Sequence, residues 1–245
     1  MSGVAVFLIA VGCADGLRRL TRRRWPPVVS GPVVAVITAA MCGLWHLGDL
    51  ILVGIAAAAS VVWELSCTRA ERVGGRRQVT PLVLFGGVLT VLILLSGLGS
   101  PVAGPVKAWL GWAPVTATDP TRIMLVVGVI LLQITTGNQL VRLLLGSVGS
   151  VKPAGEPQPS DKLKGGRLLG PMERLLIVGL ALAGQLAVAT AVVAAKSIIR
   201  FPEINAQKAR ENGGIGIDDV TEYFLVGSFA SWIVALGGLA LTGLG

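Results

Sequence analysis

Long apolar runs separated by short polar turns dominate the sequence, and the lengths of these runs predict the fold. A helix needs about 20 apolar residues to cross about 30 Å of hydrocarbon. The runs predict membrane-spanning helices at residues 2–17, 32–47, 50–67, 80–99, 121–146, 168–198 and 219–243. The predicted fold class is therefore all-α, a polytopic transmembrane helical bundle that forms a single integral membrane domain over residues 1–245.

The number of helices depends on residues 32–67. Only His46, Gly48 and Asp49 separate the second run from the third. This stretch predicts either a tight helical hairpin that crosses twice or one broken segment. The bundle has about seven helices in the first case and six in the second.

Two segments between the runs are predicted to lie outside the hydrocarbon. Residues 100–114 are too short and too interrupted to cross, and Trp109, Trp112 and Lys107 suit an interfacial segment, because indole rings favour the headgroup boundary. Residues 147–167 are rich in Pro, Gly, Lys and Ser, and this composition predicts a solvated cytoplasmic loop.

The distribution of basic residues predicts the orientation. With seven crossings, the loops around 18–31, 66–80 and 142–174 hold 15 Lys and Arg residues, and the opposite side holds 6. Basic loops remain in the cytoplasm. We therefore expect a multi-pass protein of the cell membrane, with the N-terminus outside and the C-terminus in the cytoplasm.

Composition agrees with this environment and excludes several classes of function. Only 14% of the residues are charged, against about 25% in soluble domains. The net charge of +8 lies in clusters between apolar runs, so the expected partner is the lipid bilayer and not nucleic acid. Cys13, Cys42 and Cys67 lack metal-ligand spacing, and no nucleotide-binding or hydrolase motif occurs in a usable context. We expect no metal and no cofactor.

Polar residues inside the runs are the candidate functional groups, because such groups are costly in hydrocarbon. Asn138 and Arg142 share a face of the fifth run, and Glu173 opens the sixth. An Arg142–Glu173 pair would neutralise both charges. Its interpretation stays open between a stabilising interhelical pair and a substrate or ion site.

A second polar group lies at the opposite ends of the last two runs. Lys196 and Arg200 end the sixth run, Glu222 and Tyr223 open the seventh, and Gln185 lies between them and Glu173. These residues predict either an anion site or outer gate, or a salt-bridge clamp between adjacent helices.

The single histidine supplies the third group. His46 and Asp49 are three residues apart, so a helix would bring them together. They predict either a proton relay or a polar turn between two helices.

The C-terminal third contains a set of ordered motifs. They are Glu173-Arg174 followed by Leu-Leu-Ile, a central Gln185, Ala195-Lys196-Ser197 ending at Arg200-Phe201, and Glu222-Tyr223 with Gly227. Together with GNQLVRLLL at 137–145, these motifs resemble an uncharacterised family of bacterial polytopic membrane proteins. HLGDLIL at 46–52 departs from the early His-Leu-x-x-Asp-Phe-x-x-Gln signature of that family. The resemblance implies a membrane bundle and no particular activity.

Three hypotheses for the function remain. The first is a small transporter or channel component that uses the paired charges. The second is a scaffold or accessory subunit, which binds a protein partner or a second copy through small residues four apart, at Ala183, Ala187, Ala191 and Ala195. The third, an intramembrane enzyme acting on a lipid-linked substrate, is the least favoured. It would need Glu173, Gln185, Lys196, Arg200 and Glu222 around one cavity.

Overall fold

The computed structural model describes residues 1–21, 23, 25–113, 119–149, 166–195, 198 and 216–245. These residues form helices and no strand. The helices are α1 Ser2–Leu20, α2 Trp25–Met41, α3 Leu47–Val73, α4 Val79–Leu94, the short α5 Gly104–Leu110, α6 Pro120–Ser147, α7 Gly166–Leu182, α8 Leu186–Ala195 and α9 Gly216–Leu244.

Four stretches of the described chain are long and apolar enough to cross a membrane. They are Leu47–Val73, Gly75–Leu94, Pro120–Ser147 and Glu222–Leu244. Large apolar side chains such as Val83 and Ile233 are exposed on the outside of these helices, where they suit a lipid environment. The predicted fold class, an all-α membrane bundle, is confirmed.

Helix α1 lies in the centre of the bundle, packed against α2, α3 and α6. Its side chains from Val4 to Leu8 are at most 1% exposed. Glycines allow the close packing with α6: a Cβ added at Gly12 would lie 2.8 Å from Leu131 Cβ. The first predicted span therefore forms the core of the bundle. It is not among the four strongly apolar stretches because charged residues lie at its C-terminal end.

Residues 32–67 form two helices joined by a tight turn, which is the arrangement of the hairpin alternative, and α3 is one of the four long apolar stretches whereas α2 is shorter. Helices α2 and α3 are separate and pack against each other, and the chain reverses at Gly43, where φ is +65°. Helix α2 begins earlier than predicted, at Trp25. Pro26 and Pro27 fit its first turn, because the backbone N–H groups there have no partner within the helix.

The sixth run is not one long helix, so that prediction is wrong. It breaks at Gly184, where φ is +75°, into α7 and α8. Glycine adopts this left-handed conformation without the strain that a Cβ would cause. The N–H of Gln185 closes the turn onto the carbonyl of Leu180 at 2.8 Å. Most of the predicted loop 147–167 and of the polar stretch before α9 lies outside the described residues.

The two termini lie at the same end of the bundle, and the prediction of opposite sides is wrong. Helix α9 runs antiparallel to α6, with Gly227 beside Leu145 and Gly245 beside Leu125. A Cβ added at Gly245 would lie 3.8 Å from Met1 Cβ. Because α7 and α9 both begin near the C-terminal half of α6, the sixth run does not act as the single crossing that the prediction assumed.

Candidate functional site

A widened turn in the middle of α6 organises the polar interior of the bundle. Residues Leu132–Thr136, here called the π segment, form a π-helix inside the α-helix. Such turns displace backbone carbonyls from regular α-helical bonding and occur frequently at functional sites. Three successive carbonyls of this segment accept hydrogen bonds from two arginines. Arg19 donates to Ile134 at 3.1 Å and to Thr135 at 2.6 Å, and Arg174 donates to Gln133 at 2.8 and 3.2 Å.

Arg174 is only 1% exposed, and neutral acceptors surround its guanidinium. Besides the Gln133 carbonyl, Nη2 donates to Asn138 Oδ1 at 2.6 Å and Nη1 donates to Ser231 Oγ at 3.2 Å. The side chain therefore joins α7 to α6 and α9. Arg174 is one of the 15 basic residues that the orientation prediction assigns to the cytoplasmic loops.

The predicted Arg142–Glu173 pair does not form between these described side chains. Arg142 is exposed on the surface of the bundle. Glu173 is buried and accepts a hydrogen bond from Trp232 Nε1 at 2.9 Å, so it ties α7 to α9. Asn138, which was expected to act with Arg142, instead accepts from Arg174.

A second charged group, which sequence reasoning missed, lies between α1 and α3. Asp15 is 3% exposed and Glu64 is 2% exposed, and their carboxyl groups are within hydrogen-bonding contact of each other. Trp63 Nε1 lies 3.3 Å from both oxygens of Asp15. The Thr136 side chain of the π segment faces the same carboxyl group.

Arg18 connects the two buried carboxyls to the edge of the bundle. Its Nη1 lies 3.7 Å from Glu64 Oε2, and its Nη2 lies 2.8 Å from Glu71 Oε2. Gln139 on α6 donates to Glu71 at 2.9 Å. We call Asp15, Arg18, Trp63, Glu64 and Glu71 the Asp15–Glu64 cluster.

The sequence carried a signal for this cluster. Asp15 and Arg18 are three residues apart, and Glu64 and Glu71 are seven apart, so each pair occupies one helical face.

The other predicted site residues are dispersed in the described structure. Gln185 is exposed at the break before α8, and Lys196 and Arg200 lie outside the described residues. Glu222 is exposed and Tyr223 half-buried at the start of α9. Glu222 lies ten residues before Trp232, the partner of Glu173, which is about 15 Å along a helix. Glu173, Gln185 and Glu222 therefore do not form one site.

The His46–Asp49 pair fixes a turn at the opposite end of the bundle. Asp49 accepts from the N–H groups of His46 at 3.2 Å and Ser100 at 2.7 Å, which caps α3 and holds the chain after α4. His46 Nδ1 lies 3.4 Å from Asp49 Oδ2 and 3.0 Å from Ser100 Oγ, with the imidazole 79% exposed. These contacts favour the polar-turn interpretation over a proton relay.

Within the described ranges, no three His, Cys, Asp or Glu side chains are grouped so as to hold a metal ion. Comparisons of the chain with protein-family models, with curated proteins and with solved structures found no match. The family resemblance of the C-terminal third stays a prediction.

Proposed function

We propose that this membrane protein is a small transporter or channel component, and that the Asp15–Glu64 cluster is its ion site. The observation that carries the proposal is the burial of two touching carboxyl groups on the central helix and its neighbour. Ionisable groups inside a membrane bundle are costly to bury and commonly mark ion or proton pathways.

The π segment supports a role that involves movement. It packs against α1 and supplies Thr136, which faces Asp15. A π turn differs from an α turn in the register of a few hydrogen bonds. A change in that register would move Thr136 and Gln139 relative to the cluster.

The basic residues support an orientation in the cell membrane. Arg18, Arg72, Arg76 and Arg77 lie at the end of the bundle where α1 and α3 finish, whereas Lys107 and Arg122 lie at the other end. The positive-inside rule then puts the first end in the cytoplasm and both termini outside.

A scaffold or accessory role remains a second proposal because of the exposed face of α8. Ala187, Ala191 and Ala195 are exposed on this helix, and small residues at this spacing allow another helix to approach closely. Ala183 lies in the turn between α7 and α8 and is not part of this face. A protein partner or a second copy of the chain would use the remaining three positions.

The test of transport is ion flux in proteoliposomes. Vesicles loaded with a pH-sensitive dye, under a potential set by K⁺ and valinomycin, report protons, and ion-selective electrodes report K⁺ and Cl⁻. We expect flux above that of protein-free vesicles, and we expect Asp15→Asn and Glu64→Gln to reduce it to the protein-free rate.

Asp119→Asn is the matched control, because Asp119 is exposed and caps the other end of α6, and asparagine caps helices equally well. It should retain the flux. Absence of proton, K⁺ and Cl⁻ flux from the wild-type protein would contradict the transport proposal.

A further inference from the structure

We infer that Asp15 and Glu64 bind one proton between their carboxyl groups, and that a proton is the ion this site takes up and releases. The part of this inference that concerns transport rests on the proposed function. The binding of the proton rests on the geometry of the cluster alone.

The contact between the two carboxyl groups is the first argument. Two ionised carboxylates repel each other and have only acceptor atoms, so they cannot hydrogen-bond to each other. A pair held this close shares one proton, which one carboxyl donates and the other accepts. Glu64 Oε1 is buried and receives no hydrogen bond from the described residues, so it is available to accept one from a protonated Asp15.

The balance of charge is the second argument. Three carboxyl groups, of Asp15, Glu64 and Glu71, face a single guanidinium, that of Arg18. The neighbouring Arg19 donates to carbonyls of the π segment. Among the helices packed around the pair, α3 contributes the thiol of Cys67, and α6 contributes the neutral side chains of Thr136 and Gln139. Helices α2 and α4 carry no charged residue. A buried site with excess negative charge is stabilised when it takes up a proton.

The position of Arg18 is the third argument. Its guanidinium is 2.8 Å from Glu71 and 3.7 Å from Glu64. A doubly ionised Asp15–Glu64 pair would attract the cation more strongly than the partly exposed Glu71 does. The observed preference for Glu71 agrees with a pair that already carries a proton. Loss of that proton would draw the Arg18 side chain towards Glu64.

A proton fits this site better than a metal cation does. A metal ion needs several oxygen ligands at about 2.0–2.6 Å around an open centre. Here the carboxyl groups touch each other, and the positively charged Arg18 lies alongside them. The described residues also lack a three-ligand group for a metal.

The test is the infrared absorption of protonated carboxyl groups in the purified full-length protein, recorded at neutral pH in nanodiscs. We expect one buried carboxylic-acid band that shifts in D₂O. The band should disappear in Asp15→Asn and also in Glu64→Gln, because the remaining carboxyl then faces Arg18 without a second carboxylate to repel and ionises. Asp119→Asn should keep the band.

The outcomes separate this inference from the transport proposal. A wild-type protein without the band, or a band that survives in either cluster variant, would overturn the shared proton even if ions cross the vesicles. A band with the expected pattern, in a protein that carries no flux, would leave the proton site standing and remove the transport role. Both cluster substitutions replace a carboxyl by an amide of the same shape, and circular dichroism of each variant verifies its helix content before the spectrum is interpreted.

Discussion

At the scale of single residues, Arg174 and Arg18 have different kinds of partner in the described interior. Arg174 is buried against carbonyl, amide and hydroxyl oxygens, with no carboxylate of the described residues within 4 Å of its guanidinium. Arg18, by contrast, lies between carboxylates. The first arrangement has a fixed geometry because each guanidinium nitrogen has a particular acceptor, whereas the second depends on which carboxyl groups are ionised.

The geometry around Arg174 predicts that charge alone cannot replace it. Arg174→Lys keeps the charge but loses the planar fork that reaches Gln133, Asn138 and Ser231 together. We expect a destabilisation of about 1–3 kcal/mol, because buried acceptors lose their donors. Thermal unfolding in detergent measures it. Arg142→Lys, at an exposed position of α6, should leave the unfolding temperature unchanged, and equal effects of the two substitutions would contradict the assignment.

The sequence identified which residues are polar within the helices but not which of them meet. Helical periodicity correctly puts Asn138 and Arg142 on one face. The predicted topology also puts both residues at the same end of the bundle as Glu173. Periodicity does not give the rotation of α6 against α7, and that rotation decides that Asn138 contacts Arg174. Asp15 and Glu64 were missed for a related reason: the central position of α1 depends on packing between distant parts of the chain.

At the scale of helices, the length of the apolar runs predicts where most helices lie. It fails where the backbone departs from α-helical geometry. The fifth predicted span, 121–146, matches α6 at Pro120–Ser147 within one residue at each end. The π segment inside it has an ordinary apolar and polar pattern, so hydropathy does not reveal it. The break at Gly184 is equally hidden, because Ala-Gly-Gln between apolar residues is compatible with a continuous helix.

The break at Gly184 can be tested by one substitution. Gly184→Ala places a Cβ on a backbone with φ of +75°, and we expect a destabilisation of about 1 kcal/mol. In the continuous helix that the sequence predicted, the same substitution would stabilise the protein instead, because alanine favours helix. Gly179→Ala is the control: it lies inside α7 with no atom within 4 Å of the added Cβ, and its unfolding temperature should stay the same or rise.

At the scale of the whole molecule, the interpretation of one apolar run, residues 168–198, decides on which side of the membrane the C-terminus is predicted to lie. Orientation rules act through the number of crossings between basic loops. The prediction counted residues 168–198 as one crossing, and it therefore put the C-terminus on the side opposite to the N-terminus. The position of Gly245 beside Met1 disagrees with that arrangement.

The shared position of the termini gives a topological prediction. Short epitope tags added at Met1 and at Gly245 should be digested by protease from the same face of sealed membrane vesicles. A tag inserted at the Gly74–Gly75 turn between α3 and α4 should be digested only in vesicles of the opposite orientation. Protection of one terminal tag under conditions that digest the other would contradict the arrangement.

The π segment also bears on how the gene tolerates change. Bonds between residues five apart, in place of four, accommodate one additional residue within an α-helical span. Deletion of one codon between positions 132 and 136 would therefore return this turn to α-helical bonding and leave residues 137–147 close to their present rotation. Asn138 would still face Arg174, and Gln139 would still face Glu71. A deletion in the α-helical residues before the π segment would instead rotate the part of the helix beyond it by about 100°, so the gene tolerates the loss of a codon better inside the π segment than beside it.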